Sequence, residues 1–282
     1  MSDLLKITGL TKQFDLFCLN DISFTLPQGF IMGLIGPNGA GKTTTIKLIL
    51  NMLKKTSGNI EILGMDSIIH EKEIKEQIGV VFDNNYFADE WTMSDVEKTM
   101  GMFYKNWNVQ TFYRMLERFK VDRKKRVKQL SRGMQMKLML ACAFSYNAKL
   151  LILDEPTSGL DPVSRDELLE ILSDYIENGE RSVLFSTHIT TDLDKITDYI
   201  TFIYQGRMLY SGGKDEFIDS FRIIKGGLSE LTAELNHKLV GVRKFSTGFE
   251  GLIHTQDLTC FPLMQQEPAT IDDIIVFTNK GV

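Results

Sequence analysis

Cysteine, proline and long apolar runs are scarce in this sequence. Its 282 residues include three cysteines and six prolines. Cys18, Cys142 and Cys260 lack the spacing of a metal site, so we expect reduced thiols in a cytosolic protein. The longest apolar runs, such as residues 138–144, fall far short of the roughly 18 residues that a membrane span requires. The first ten residues also lack the charged and apolar regions that are typical of a signal peptide.

Positive charge is also in short supply. The chain has 32 lysines and arginines against 37 acidic residues, for a net charge of −5. Proteins that bind nucleic acid usually have a basic bias, so we expect no nucleic-acid partner. The basic stretch 123–126 is interpreted mainly as a solvated loop. A hydrophobic fraction of 43% supports a sizeable core, and the length suits one large domain or a domain plus an appendage.

A glycine-rich segment carries the strongest motif of the chain. An apolar run, residues 30–35, precedes it and predicts a buried strand, and an apolar helical face follows it. Its residues match the pattern G-x-x-x-x-G-K-[ST] of a phosphate-binding P-loop. They are Gly36, Pro37, Asn38, Gly39, Ala40, Gly41, Lys42, Thr43 and Thr44.

Each residue type in this segment suits phosphate binding. The glycines allow a tight turn whose N–H groups point inward, at the positive end of the following helix. Lys42 would place a charge on the β- and γ-phosphates, Thr43 would ligate Mg²⁺, and Thr44 adds a hydroxyl near the phosphates. The alternative is an accidental glycine-rich turn. A chance match is on the order of a percent from average residue frequencies, and the strand and helix flanks lower it further.

A second motif places two acids at the end of an apolar strand, residues 150–155. Such a strand delivers one carboxylate, Asp154, to the Mg²⁺ shell and the next, Glu155, towards the attacking water. Acids at strand ends also occur as turn formers. Here they follow a P-loop along the same chain, which favours the functional interpretation.

The remaining pattern alternates strands and helices. Residues 84–148 are predicted to be mostly helical, with Ser94 and Glu97 as a capping box. Asp161 is expected to cap a helix that begins at Pro162. The C-terminal part is less regular, with possible strands at 221–224 and 240–245 and a short helix at 271–277. Strands are otherwise predicted at residues 4–8, 22–26, 59–63, 78–82 and 182–186, and a hairpin at 199–211.

Taken in order, the motifs GPNGAGKTT, LSRGMQ, LLILDEP, SGLD and STH resemble those of the ATP-binding-cassette (ABC) family. The resemblance covers roughly residues 1–214 and is to the separately encoded ATPase subunit of a bacterial exporter. It implies an α/β fold: a P-loop NTPase core with an antiparallel β portion and an inserted helical subdomain, residues 84–148. Residues 215–282 would form a small C-terminal extension.

The same resemblance implies roles in nucleotide binding. Phe14 would stack on adenine, although alone it is as well explained as a core or edge aromatic. Ser131 and Gly133 would hold the γ-phosphate of ATP bound to a partner subunit. Asp161 would bridge the two subunits. The family pattern thus implies a homodimer, or a pseudo-homodimer with a related ATPase.

It also implies roles in catalysis. Asp154 would serve Mg²⁺, Glu155 would be the general base, and His188 would contact the γ-phosphate and the attacking water. The cofactors implied are ATP and Mg²⁺. The family's signature motif, usually Leu-Ser-Gly-Gly-Gln, reads Leu-Ser-Arg-Gly-Met here. Arg132 replaces the commonest glycine, and Gln135 stands one place later than the usual glutamine. Neither change removes a catalytic group.

One departure from the family pattern concerns the metal. Asp83 follows the strand predicted at 78–82, where the family usually has glutamine. A carboxylate is shorter and anionic, so we expect Asp83 to act on Mg²⁺, directly or through a water. The alternative is that Asp83 only caps the turn into Asn84 and Asn85, a role that aspartate often has.

Two classes of ABC protein compete. The first is a transporter ATPase on the cytoplasmic face of the membrane, bound to integral membrane subunits and exporting peptides or antibiotics. The second is a soluble ABC ATPase of translation or DNA repair, which usually has two cassettes or long coiled coils, and neither is present in this sequence. If the protein were a GTPase or a small-molecule kinase, its SGLD and STH motifs would be coincidences, which disfavours this third class. The aromatic and acidic segment 86–91 is either a docking surface or subdomain core.

Overall fold

The computed structural model of the chain describes residues 2–82 and 84–280. Its internal contacts divide the chain into two compact units, Met1–Ser211 and Gly212–Val282. Among the described residues, no helix has the length and apolarity that crossing a bilayer requires. The first unit holds every motif singled out above.

The first unit is built on a ten-stranded sheet with the order β5-β4-β1-β2-β10-β9-β3-β8-β7-β6. The neighbours β6-β7-β8-β3-β9 run parallel, and β5-β4-β1-β2 run antiparallel. β10 lies between the two parts, and its Arg207 pairs in parallel with Asn20 of β2. The strands are β1 Asp3–Gln13, β2 Cys18–Pro27, β3 Ile31–Ile35, β4 Ser57–Ile62, β5 Met65–Asp66, β6 Ile78–Val81, β7 Leu150–Asp154, β8 Ser182–Thr187, β9 Tyr199–Tyr204 and β10 Arg207–Gly213.

Helices pack around the parallel part of this sheet. They are α1 Lys42–Ile49, α2 Glu71–Lys75, α3 Met93–Phe103, α4 Val109–Arg118, α5 Arg132–Ser145, α6 Pro162–Ile176 and α7 Thr190–Ile196. Every residue of β3, β7 and β8 is buried, because helices cover both faces of a parallel sheet. This explains the continuous apolar runs in the sequence. Truncating a buried leucine such as Leu151 to alanine would cost about 2–5 kcal/mol.

These elements confirm the predicted α/β P-loop fold, with one local correction. The predicted capping box of Ser94 and Glu97 was wrong, because α3 begins two residues earlier, with Thr92 as its cap. The Asp95 carboxylate accepts the Thr92 N–H at 2.8 Å, and the Thr92 hydroxyl accepts the Asp95 N–H at 3.2 Å. A threonine and an aspartate three residues apart thus satisfy the free N–H groups at the helix start.

The second unit is a four-stranded antiparallel sheet with the order β12-β13-β11-β14. Its core contains Ile224, Leu235, Phe249 and Ile253. The strand predicted at 240–245 corresponds to β12, and the closing helix to α10. The elements are α8 Lys214–Asp219, β11 Phe221–Gly226, α9 Ala233–Lys238, β12 Leu239–Lys244, β13 Phe249–His254, β14 Gln265–Pro268 and α10 Ile271–Thr278.

Candidate active site

The glycine-rich loop connects β3 to α1, as the sequence predicts. α1 begins at Lys42, directly after Gly41, whose φ is 116°. Gly36 has a φ of 149°, and a Cβ atom there would lie 2.1 Å from the carbonyl oxygen of Ile203. A Cβ atom on Gly41 would lie 2.8 Å from Leu19 Cδ1. Both positions therefore need glycine, and the loop can close tightly around a phosphate group.

The Lys42 side chain is buried and held across this loop. Its ammonium donates to the carbonyl oxygens of Gly36 at 2.8 Å and of Pro37 at 3.4 Å. It also lies 3.6 Å from Oε1 of Glu155. The cation is thus fixed at the start of α1, where phosphate oxygens would meet it together with the helix N–H groups.

The Asp154 carboxylate is buried at the end of β7 and held by two hydroxyls. Its Oδ1 atom accepts from Ser186 Oγ at 2.6 Å and from Thr43 Oγ1 at 3.3 Å. The sequence predicted Thr43 and Asp154 as metal ligands, and the fold brings them together. Sequence reasoning missed Ser186, which orients Asp154 from the neighbouring strand β8.

The donor set at this point fits Mg²⁺. A hydroxyl and a carboxylate supply the hard oxygen ligands that Mg²⁺ prefers, and Mg²⁺ commonly takes one or two carboxylates and completes its shell with water and phosphate. Within residues 2–82 and 84–280, no group of three or more His, Cys, Asp or Glu side chains forms a metal cage. Thr43 and Asp154 would therefore hold the ion together with a bound nucleotide.

Glu155 connects the loop to His188. Its Oε2 atom lies 2.7 Å from Nδ1 of His188 and 3.4 Å from the His188 backbone nitrogen. The Glu155 N–H donates to the backbone oxygen and to the hydroxyl of Ser186, at 3.0 and 3.1 Å. Glu155 has a φ of 52°, in the left-handed region, which costs about 1–3 kcal/mol and occurs mostly at functional sites.

A cavity of about 320 Å³ lies over these groups. Its lining includes Glu155, Ser158 and His188 together with residues 38–44 of the glycine-rich loop. The cavity thus contains the cation, the hydroxyls and the carboxylate that phosphoryl chemistry needs.

The aromatic ring at this cavity belongs to Phe17, a residue that sequence reasoning missed. Phe17 lies in the loop between β1 and β2, and its Cζ atom is 3.2 Å from where a Cβ on Gly41 would be. Phe14 is in the same loop, with ring centroids 6.2 Å apart, and is not among the described residues that line the cavity. The Lys12 ammonium lies 5.3 Å from the Phe14 ring centroid.

Ser131, Gly133 and Asp161 lie together at two helix starts. Ser131 caps α5, and its Oγ accepts the Met134 N–H at 3.3 Å. A Cβ on Gly133 would lie 3.2 Å from Leu160 Cδ2, next to Asp161. Asp161 caps α6, and the hydroxyl and N–H of Ser164 hold the pKa of its carboxyl below its usual value. None of the three is among the described residues that line the cavity.

Two further predictions concern the segment after β6. Asp83 lies outside the described residues. Of the predicted aromatic segment, Phe87 is buried, whereas Tyr86 is 49% exposed, so the segment contributes to both core and surface.

Tyr86 lines a groove of about 610 Å³ together with Phe103, Tyr104 and Tyr146. We call this surface the aromatic groove. The rings of Tyr104 and Tyr146 are stacked, with centroids 3.8 Å apart. Charged residues of α2 form the other side of the groove.

Comparisons with known proteins identify the family of this chain. A family model described as ABC transporter matches residues 19–158, which include the glycine-rich loop, Ser131 and both acids. The chain is 34% identical over 217 residues to the bacitracin transport ATP-binding protein BcrA of Bacillus licheniformis, covering 74% of this chain and 69% of that protein. It is 33% identical over 219 residues to the lantibiotic transport ATP-binding protein SrtF of Streptococcus pyogenes, covering 73% and 89%.

A solved structure gives the same result. It is described as the ATP-binding subunit of an ABC transporter, and it superposes with a TM-score of 0.69 at 28% identity. The match covers 76% of this chain and 91% of that chain.

Proposed function

Since this chain belongs to the ABC transporter family and is an ATP-hydrolysing subunit of a transporter, we propose that it works as an ATP-driven dimer that powers export through separate membrane subunits. The observation that carries this proposal is the linked set of Lys42, Glu155 and His188 over the glycine-rich loop. This set gives one chain a phosphate cation, a carboxylate base and an imidazole in one cavity.

Within the site, Glu155 acts as the general base. Its carboxylate is fixed between Lys42 and His188, so it can accept a proton from a water aligned with the γ-phosphate. His188 orients that carboxylate and contacts the γ-phosphate. Thr43 and Asp154 hold Mg²⁺, which when bound neutralises phosphate charge. Asp83, which follows β6, contributes to the same metal shell.

The second chain supplies the rest of the site. The glycine-rich loop of the same chain lines the cavity. Ser131, Gly133 and Asp161 lie instead at the starts of α5 and α6 and are not among the described residues that line it. The N-terminus of α5, a helix of 14 residues, offers N–H groups and a positive dipole end to an anion. A γ-phosphate held by Lys42 of one chain would meet this helix start of the other chain.

Phe17 holds the adenine, with Phe14 as the second ring of the same loop. The support for Phe17 is its place on the cavity wall beside Gly41. An aromatic ring can stack on any base, so this contact would raise the affinity for the nucleotide whatever the number of its phosphates.

Membrane subunits dock in the aromatic groove. Tyr86 and Phe103 are 49% and 73% exposed there, and exposed aromatic residues are typical anchors of protein interfaces. In this proposal the chain works at the cytoplasmic face of the membrane. The relatives named for bacitracin and lantibiotic transport favour peptides or antibiotics as the exported class.

Purification with the products of neighbouring genes tests the proposal as a whole. We expect an integral membrane protein to co-purify, and Tyr86→Ala with Phe103→Ala to release it while ATP binding persists. The exposed Met52→Ala is the matched control, because Met52 is not among the described residues that line the groove. Co-purification of ribosomes or DNA instead would contradict the transporter assignment of this chain.

A further inference from the structure

Three buried polar side-chain atoms of the described residues, from the segment after Glu155, from α6 and from α7, have no hydrogen bond of normal geometry. Within the part of the chain that the structure describes, Thr157 Oγ1, Arg165 Nε and Asp192 Oδ2 each have no hydrogen-bond partner. Thr157 and Asp192 are essentially fully buried, and the Arg165 side chain is 29% exposed. Arg165 Nε and Asp192 Oδ1 are 4.0 Å apart, beyond hydrogen-bond distance. We call these three residues the buried triad.

The electrostatics of the buried triad show that its members affect one another. Burial, the largest effect, raises the pKa of Asp192 above its usual value. The Thr157 hydroxyl and the charges of Arg165, Lys195 and His188 act in the opposite direction and lower it. An unpartnered buried polar group destabilises a fold, so a structure that keeps three of them needs a reason for them.

The position of each member in the chain provides that reason. Thr157 follows Glu155 by two residues. Arg165 lies one turn into α6, whose cap is Asp161. Asp192 lies in α7, four residues after His188. A shift of about 1 Å between α6 and α7 would bring the guanidinium and the carboxylate into a charge-assisted hydrogen bond.

We propose that Arg165 and Asp192 are positioning residues for ATP hydrolysis, which tie α6 to α7 so that Asp161 and His188 reach their working positions together. The proposal rests on the roles of Asp161 and His188 in the proposed function. The bond forms when the site closes around the nucleotide, and the Thr157 hydroxyl then extends it to the segment that carries Glu155. Loss of either partner leaves His188 misplaced relative to Glu155.

A second ion pair between the same two helices provides a matched control. Lys195 Nζ of α7 lies 2.5 Å from Asp166 Oδ1 of α6, and both side chains are more than half exposed. It joins the same elements as the buried triad but on the surface, where ion pairs contribute little. Asp166→Asn should therefore leave turnover unchanged.

The test is a double-mutant cycle on the full chain with any membrane subunits that co-purify. Arg165→Gln, Asp192→Asn, the double variant and Asp166→Asn are compared by kcat, KM for ATP and Tm. We expect each buried variant to lower kcat by about tenfold or more with KM changed less than about twofold, because small misplacements of catalytic groups are costly. The double variant should be no worse than the worse single variant, since both remove one interaction.

Other results would overturn the inference. A lowered Tm with unchanged kcat per folded molecule would mean that the pair only stabilises the fold, and losses that multiply in the double variant would mean that the two residues act independently. If Asp192→Asn does not fold, the partly exposed Arg165 decides: Arg165→Gln must lower kcat and Arg165→Lys must restore part of it.

His188→Ala is measured alongside. If it hydrolyses ATP normally, the proposed site fails; if it is inactive while the buried variants are normal, only this inference fails.

Discussion

Nδ1 of His188 lies 2.7 Å from Oε2 of Glu155, across the end of the parallel sheet. The contact joins β7 to the segment that follows β8, two elements that are neighbours in the sheet but distant in the sequence. Because the other carboxylate oxygen faces Lys42, a change at either neighbour would alter the direction in which Glu155 points. The first prediction tests Glu155 itself.

Glu155→Gln should abolish hydrolysis and spare ATP binding. Glutamine keeps the size of the side chain and its hydrogen bonding but cannot accept the proton. We expect phosphate release to fall by at least about a hundredfold, the usual scale for the loss of a general base. Fluorescent-nucleotide titration should give a Kd close to that of the unchanged chain. Near-normal turnover in this variant would exclude Glu155 as the base.

The Glu155→Gln chain should dimerise with Mg-ATP and not with ADP. The γ-phosphate is the group that would contact Ser131 and Gly133 of the second chain, and ADP lacks it. Light scattering measures the mass in each nucleotide. Adding Ser131→Arg, which places a bulky side chain at the exposed start of α5, should prevent the dimer but leave ATP binding intact. A mass that stays monomeric in ATP, even with the membrane subunits present, would contradict the two-chain site.

Phe17→Ala should weaken ATP binding more than Phe14→Ala. Stacking of a base on an aromatic ring contributes about 1–3 kcal/mol, so we expect the Kd for ATP to rise by roughly tenfold for Phe17→Ala. Leu16→Ala is the control, because Leu16 is a fully exposed residue of the same loop. Calorimetric titration of the three variants gives the order. A larger loss for Phe14→Ala would assign the adenine contact to Phe14 instead.

Asp83→Ala should raise the Mg²⁺ concentration needed for half-maximal hydrolysis. A carboxylate is a hard oxygen ligand, and alanine removes it. Asp83→Gln, which introduces the residue common in the family, should restore much of the activity. Mg²⁺ titration of both variants is the measurement. An unchanged Mg²⁺ dependence in Asp83→Ala, with only a lowered Tm, would leave the turn-capping role and remove the metal role.

Patterns that are contiguous in sequence were the ones that could be predicted. The glycine-rich loop and the pair of acids after β7 are short segments whose chemistry depends on local spacing. Phe17 could not be distinguished from Phe14, because both rings lie in one loop and only the fold shows which one faces Gly41. The buried triad was also invisible, since Arg165 and Asp192 meet only through the packing of α6 on α7.

The second unit shows a different limit. β14 has the sequence Gln-Gln-Glu-Pro and lies at the edge of the sheet. It lacks the alternation of apolar and polar residues that predicts a strand, and an edge strand tolerates proline because not every backbone N–H has to pair. β13 contains Gly251, which weakens the strand signal although its Cβ position is crowded by Leu239. Both strands pair with β11, which sequence reasoning did predict.

The left-handed backbone conformation of Glu155 lowers folding stability, whereas its carboxylate is needed for turnover. Its φ of 52° costs about 1–3 kcal/mol, a sizeable share of the 5–15 kcal/mol that a typical protein has in reserve. Glycine or asparagine would adopt this conformation more readily, and Lys42 would keep its bonds to the carbonyls of Gly36 and Pro37. A laboratory selection for heat resistance alone would therefore enrich chains that have lost their base. Engineering of this protein for robustness needs a simultaneous screen for phosphate release.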